Sequence, residues 1–179
     1  MRHPTKLLVV VVAAMVLLLV DAIGVSAAEK PRRPDEPVAV ERSSAQATFM
    51  LRNRRSGKCL EVLHYSTANN APVGQWDCYG GANQLWSYDG PSGLIRNVYS
   101  GKCLEVLYFS TANNAQVGQY TCDGAVSQRW SLNMTINIVA STYTYKCLDI
   151  LGASLANFAP AVQYDCGPWA SQSWFVSYP

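Results

Sequence analysis

No apolar stripe at helical period reaches useful length anywhere after the N-terminal segment, which argues against an α-helical or α/β domain. Charge is scarce and balanced: 15% of residues are Asp, Glu, Lys or Arg, and 14 basic against 12 acidic side chains give a net charge of +2. Nucleic acid has no electrostatic reason to bind such a chain. Histidine is nearly absent (His3 and His64), and none of the six cysteines stands in a C-x-x-C pair, so the usual zinc frameworks are excluded. Long hydrophobic runs are missing too. The longest, from Leu7 to Val20, is closed by Asp21 and is shorter than a spanning helix.

That run follows a basic start (Arg2, His3, Lys6) and precedes small residues at Ser26, Ala27 and Ala28, the pattern of a secretory signal peptide over residues 1–28. Cleavage is expected after Ala27 or Ala28, giving a secreted protein with no membrane insertion; an uncleaved N-terminal anchor is the alternative. Loss of Arg2, Lys6 and Asp21 leaves 12 basic and 11 acidic side chains, a net charge of +1. Residues 29–47, EKPRRPDEPVAVERSSAQA, carry three prolines, mixed charge and no aromatic, and are expected to form a flexible linker. What remains is one domain's worth of chain.

A 44-residue period organises that domain. Cys59, Cys103 and Cys147 recur at this spacing, as do Cys78, Cys122 and Cys166. Three Gln-x-Trp signatures agree: Gln84 with Trp86, Gln128 with Trp130, and Gln172 with Trp174. Residues 56–88 match residues 100–132 at 22 of 33 positions without a gap, and the latter match residues 144–176 at 14. The repeats run approximately 48–91, 92–135 and 136–179. Each holds four short strand-like runs, in the first repeat Thr48 to Arg52, Lys58 to Leu63, Val73 to Cys78 and Gln84 to Tyr88. The STANNA segments at 66–71 and 110–115 are turn-prone and are expected to join the second and third strands. Four strands with open edges cannot bury an apolar face alone, so three units are expected to close around a common axis as an all-β domain.

The signature Cys-Leu-(Asp/Glu), a further stretch, an aromatic two residues before a second Cys, and then Gln-x-Trp resembles the ricin B-type lectin repeat, also found in family 13 carbohydrate-binding modules. The resemblance covers Thr48 to Tyr178 and implies a β-trefoil. With it and the repeat symmetry, the expected disulfides are Cys59 with Cys78, Cys103 with Cys122, and Cys147 with Cys166. The rival symmetric scheme pairs Cys78 with Cys103, Cys122 with Cys147, and Cys59 with Cys166.

A sugar ring needs a carboxylate, an amide and an aromatic face. Each repeat offers these at positions the resemblance assigns to carbohydrate binding: Glu61, Trp76, Asn83 and Gln84; Glu105, Tyr120 and Gln128; Asp149, Tyr164 and Gln172. The chain departs from the family pattern in three ways. Glu61 and Glu105 stand where Asp is usual and are one methylene longer, Ser127 and Ser171 stand where Asn is usual, and Gly74, Gly118 and Val162 stand where many members have glutamine. The first and third sites therefore rank above the second. Trp86, Trp130 and Trp174 are expected in the core. His64 is expected to be a solvated loop residue, and Arg52, Arg54, Arg55 and Lys58 a solvated basic face.

Glycoside hydrolysis needs two carboxylates roughly 5–10 Å apart, whereas these three belong to separate lobes, and paired cysteines leave no free thiol. No enzyme activity, metal or cofactor is expected. The resemblance implies a monomeric secreted lectin for galactosides or plant polysaccharide of the xylan type, binding through shallow sites on the lobes. The alternative is a trefoil that has lost sugar binding and acts through protein contacts, as a toxin subunit, adhesin or inhibitor.

Overall fold

The computed structural model describes residues 46–179; the expected leader and all but the last two linker residues lie outside the described residues. Twelve strands follow: β1 (Thr48–Asn53), β2 (Cys59–Val62), β3 (Ala71–Trp76), β4 (Trp86–Asp89), β5 (Leu94–Asn97), β6 (Cys103–Val106), β7 (Ala115–Tyr120), β8 (Trp130–Asn133), β9 (Ile138–Ser141), β10 (Cys147–Ile150), β11 (Ala161–Tyr164) and β12 (Trp174–Ser177). In β1, Phe49, Leu51 and Asn53 point inward while Arg52 faces solvent, the period of two expected of a half-buried strand. The strands stay short because turn chemistry ends them. Asn53 Oδ1 accepts the backbone N–H groups of Arg55 and Ser56, Asn97 Oδ1 those of Tyr99 and Ser100, and Ser141 Oγ those of Tyr143 and Thr144.

Strand pairing gives two layers. β1 pairs with β12 and β4, β4 with β5, and β8 with β9, while single bridges at Leu94–Arg129 and Ile138–Ser173 join β5 to β8 and β9 to β12. These six strands form a closed ring. The hairpins β2–β3, β6–β7 and β10–β11 form the second layer, joined to one another through β3–β7, β7–β11 and a bridge between Gly74 and Pro160. A barrel capped by a triangle of hairpins is a β-trefoil, and closure removes the edges a lone four-stranded unit would expose.

Trp86, Trp130 and Trp174 lie at the centre, at most 1% exposed, with Leu51, Ile95 and Val139 and with Leu60, Leu104 and Leu148. Each indole N–H donates to the carbonyl of the leucine in its own repeat's second strand, at 3.0, 2.9 and 2.9 Å, so no buried donor is stranded. Burying roughly 200 Å² per indole at about 25 cal/mol per Å² contributes about 5 kcal/mol each before entropy is charged.

The disulfides are Cys59–Cys78, Cys103–Cys122 and Cys147–Cys166, the pairing within each repeat; no cysteine is free. The first repeat's strand boundaries shift by one or two residues from the sequence reading, and two of the shifts have a clear cause or consequence. The fourth strand begins at Trp86 rather than Gln84, because Ala82–Gln84 form a 3₁₀ turn, and the third strand ends at Trp76, two residues before Cys78.

The lobes are stapled by residues the sequence did not single out. Gln75 is fully buried, accepts from Ser56 Oγ at 2.7 Å, and donates to the carbonyls of Ser154 and Ala156 in the third lobe at 2.9 Å. Gln119 repeats this toward Ser66 and Ala68, and Gln163 toward Ser110 and Ala112. Three identical amides thus lock each hairpin onto the loop of its neighbour.

Candidate functional site

Register places the three carboxylates alike. Glu61 in β2 lies opposite Gly74, Glu105 in β6 opposite Gly118, and Asp149 in β10 opposite Val162. At 4, 5 and 8% exposure they are nearly buried. Each receives the side-chain amide of its own repeat's Gln-x-Trp glutamine at 2.9 Å: Gln84 to Glu61 Oε2, Gln128 to Glu105 Oε2, and Gln172 to Asp149 Oδ2. The extra methylene of the two glutamates therefore does not cost them this bond.

The glutamines have no amide proton left for a ligand. Gln84 Nε2 also donates to the Asp77 carbonyl at 2.9 Å, and its Oε1 accepts from the N–H groups of Tyr79 and Gly80. Gln128 is bonded in the same way, and Gln172 likewise except that its Oε1 accepts one N–H, from Gly167, because Pro168 has none to give; all three are fully buried. Capture of the Tyr79 and Gly80 N–H groups curls the segment after Cys78 and sets up the 3₁₀ turn.

In the first lobe, Glu61 lines a concavity of about 400 Å³ with His64, Tyr65, Trp76, Tyr79 and Phe158. Trp76 is partly exposed and meets Phe158 edge to face at 4.2 Å between ring centroids, and His64 stacks on Phe158 at 5.0 Å. Asn83 does not line the concavity. It is fully buried, donates to the Val62 carbonyl at 3.3 Å, and its Oδ1 lies 2.8 Å from the Tyr79 hydroxyl, which also bonds Tyr65 Oη at 2.8 Å. His64 is exposed as expected, but its ring belongs to the concavity wall rather than to open solvent.

Burial pushes the Glu61 carboxyl above its ordinary 4.5, opposed by hydrogen bonds from Gln84, Tyr79 and Asn83 and by the charge of His64. Burial and the bond to Tyr65 push the Tyr79 phenol up as well, so it stays protonated as a hydrogen-bond donor across the physiological range. Glu61 has no hydrogen bond to backbone among the described residues, whereas Asp149 Oδ1 accepts the N–H of Ile150 at 2.7 Å.

The third lobe has its own concavity of about 350 Å³, where Asp149, Tyr164, Trp169 and Ser171 meet Asn114 of the second lobe. Tyr164 and Trp169 stand edge to face at 5.8 Å. In the second lobe Glu105 and Gln128 keep their bond and Tyr120 is partly exposed, but the buried hydroxyl of Ser127, where the first lobe has Asn83, has no partner among the described residues. Tyr65, Tyr79, Phe158 and Trp169 were missed in the sequence because none recurs as the same residue across the repeats; the signal lay in the positions where the period breaks. The basic residues are engaged at the surface, with Arg55 donating to the Ala153 carbonyl at 2.7 Å and Lys58 paired with Asp77 at 2.5 Å.

Similar folds occur among solved structures. ThreeFoil, a designed 3-fold symmetric protein, is 31% identical with a TM-score of 0.70, covering 74% of this chain and 99% of that one. The exo-beta-1,3-galactanase 1,3Gal43A from Clostridium thermocellum is 27% identical with a TM-score of 0.68, and the match covers 74% of this chain but 30% of the enzyme. The C-half of the earthworm R-type lectin, solved with GalNAc, shares the fold at 18% identity and a TM-score of 0.63, over 74% of this chain and 99% of that one. No curated protein matches the sequence significantly. Residues 47–174 match the model of the ricin-type beta-trefoil lectin domain, and the chain belongs to that family.

Proposed function

We propose that this chain is a secreted, non-catalytic lectin whose principal site is the first-lobe concavity, binding galactose-type or xylan-type glycans as a monomer. The observation that carries the reading is the convergence of one carboxylate, Glu61, with the aromatic rings of Trp76, Tyr79, Tyr65 and Phe158 around a space of about 400 Å³. This volume lies within the range of small-ligand sites. In this role Glu61 accepts sugar hydroxyl hydrogen bonds and Trp76 offers its face to the C–H side of the ring. Gln84 and Asn83 hold these groups in place and do not touch the ligand. The third lobe supplies a second site through Asp149, Tyr164 and Trp169, and the second lobe, through Glu105 and Tyr120, contributes least. Similarity to a galactanase favours the galactose-type arm. Weak shallow sites on separate lobes gain avidity on multivalent glycans.

The test is binding of the purified chain to a broad glycan array, with Trp76→Ala and Asp149→Ala run in parallel. Specific signal reduced by Trp76→Ala more than by Asp149→Ala supports a lectin working mainly from its first lobe. Silence from a folded, disulfide-bonded sample across galactosides, xylans and other plant and bacterial glycans refutes it and leaves protein contact as the function.

A further inference from the structure

The loop joining the second and third strands of each repeat ends in a residue held in the left-handed backbone region: Asn70 at φ 62°, Asn114 at φ 62° and Phe158 at φ 64°. The neighbouring lobe dictates this conformation. The N–H of each donates to a staple glutamine's carbonyl, Asn70 to Gln119, Asn114 to Gln163 and Phe158 to Gln75, at 2.8–2.9 Å. Asparagine tolerates such a backbone, but phenylalanine is strained in it. The strained residue is not hidden in the core, since Phe158 is 48% exposed. Its ring meets Trp76 at 4.2 Å and His64 at 5.0 Å, at the rim of another lobe's site. The equivalent wall of the third-lobe concavity is the amide of Asn114.

Resting on the lectin reading above, we propose that Phe158 builds a second sugar subsite beside Glu61 and Trp76, so that the first lobe recognises an oligosaccharide of two or more rings rather than a single terminal sugar. One ring sits over Trp76 with its hydroxyls toward Glu61. The next lies against the exposed part of the Phe158 ring, where its C–H face packs as sugars do on aromatic surfaces. In the third lobe Asn114 stands at the equivalent wall, so the platform supplied by a neighbouring lobe is missing there, and its second aromatic, Trp169, comes from its own repeat. The ligand chemistry is a chain of pyranose rings presenting flat C–H faces, which both galactans and xylans supply.

Isothermal titration of the purified full chain decides it, using galactose against β-1,3-galactobiose in one arm and xylose against xylotriose in the other. The expected result is at least tenfold tighter binding of the oligosaccharide in the arm that binds. In Phe158→Asn the ratio of oligosaccharide to monosaccharide affinity falls to within twofold of unity. Because asparagine occupies this position in the other two repeats, the variant is expected to fold with an unfolding midpoint no lower than the parent. A parent ratio near one, or a high ratio that survives Phe158→Asn, overturns the subsite while leaving the lectin intact. No binding of any of the four sugars by the parent overturns both.

Discussion

Replacing Gln84 with leucine removes an amide that makes four hydrogen bonds in the first lobe: two donated, to Glu61 Oε2 and to the Asp77 carbonyl, and two accepted, from the N–H groups of Tyr79 and Gly80. Leucine nearly fills the same space, so the cost is electrostatic rather than a cavity. Water can reach the partly exposed Asp77, Tyr79 and Gly80 groups, which limits their loss to about 1 kcal/mol together. Glu61 is 4% exposed and keeps a carboxylate facing a hydrocarbon where a donor stood. A hydrogen bond to a charged group contributes about 1.5–3 kcal/mol, so the total expected loss at pH 7 is about 2.5–4 kcal/mol. That is a large fraction of the roughly 5–15 kcal/mol available to a domain, yet not enough to unfold it. The cost must also depend on pH. At about pH 3.5, below the ordinary 4.5 of a glutamate, Glu61 is neutral in both the folded and unfolded chain, and the variant loses only neutral hydrogen bonds, on the order of 1–2 kcal/mol. Urea unfolding at the two pH values, with disulfides intact, measures both numbers. A loss under 0.5 kcal/mol at pH 7, or an equal loss at both pH values, refutes the assignment of Gln84 as the donor that holds an ionised Glu61.

In the parent the folded pKa of Glu61 lies above its unfolded value, so the native state holds the extra proton and stability falls as pH rises from 4.5 through the raised value. Glu61→Gln is expected to flatten that part of the stability curve in pH-dependent thermal melts, while first-lobe sugar binding, which needs the carboxylate, drops at neutral pH. Gly118→Ala places a Cβ 2.7 Å from the Ala71 carbonyl of the first lobe and 2.9 Å from Leu107, a close approach that costs about 1–3 kcal/mol by urea unfolding, whereas Gly124→Ala meets nothing within 4 Å and costs only its strained φ of +78°. Removing the Cys103–Cys122 bridge as a double serine variant opens a loop of 19 residues and is expected to lower stability by about 3 kcal/mol, measured against the parent in the same denaturant series.

The parts of this molecule legible in its sequence are those that threefold symmetry repeats. Trp86, Trp130 and Trp174 announce a shared core because each must fill the same space and give its N–H to the same carbonyl, and the cysteines mark one hairpin per lobe for the same reason. Periodicity also hid as much as it showed. Gln75, Gln119 and Gln163 are as invariant as the tryptophans, but each stands beside an aromatic that drew attention as a ligand, and a staple to the next lobe's loop has no local spacing to betray it. The glutamine that many family members carry at the positions of 74, 118 and 162 is replaced in two lobes by glycine, and the assembled triangle shows how little room is left there: a Cβ at Gly74 would stand 2.6 Å from the Ala159 carbonyl. The proposed site sits where the repeats disagree. Asn70 and Asn114 satisfy a left-handed turn without strain, and Phe158 accepts the strain at the one corner where its ring reaches Trp76. In a chain built from three copies of one unit, a shared residue is constrained by packing around the axis. Phe158 breaks the pattern against its own backbone preference, and it does so beside the Trp76 and Glu61 that the proposed site needs.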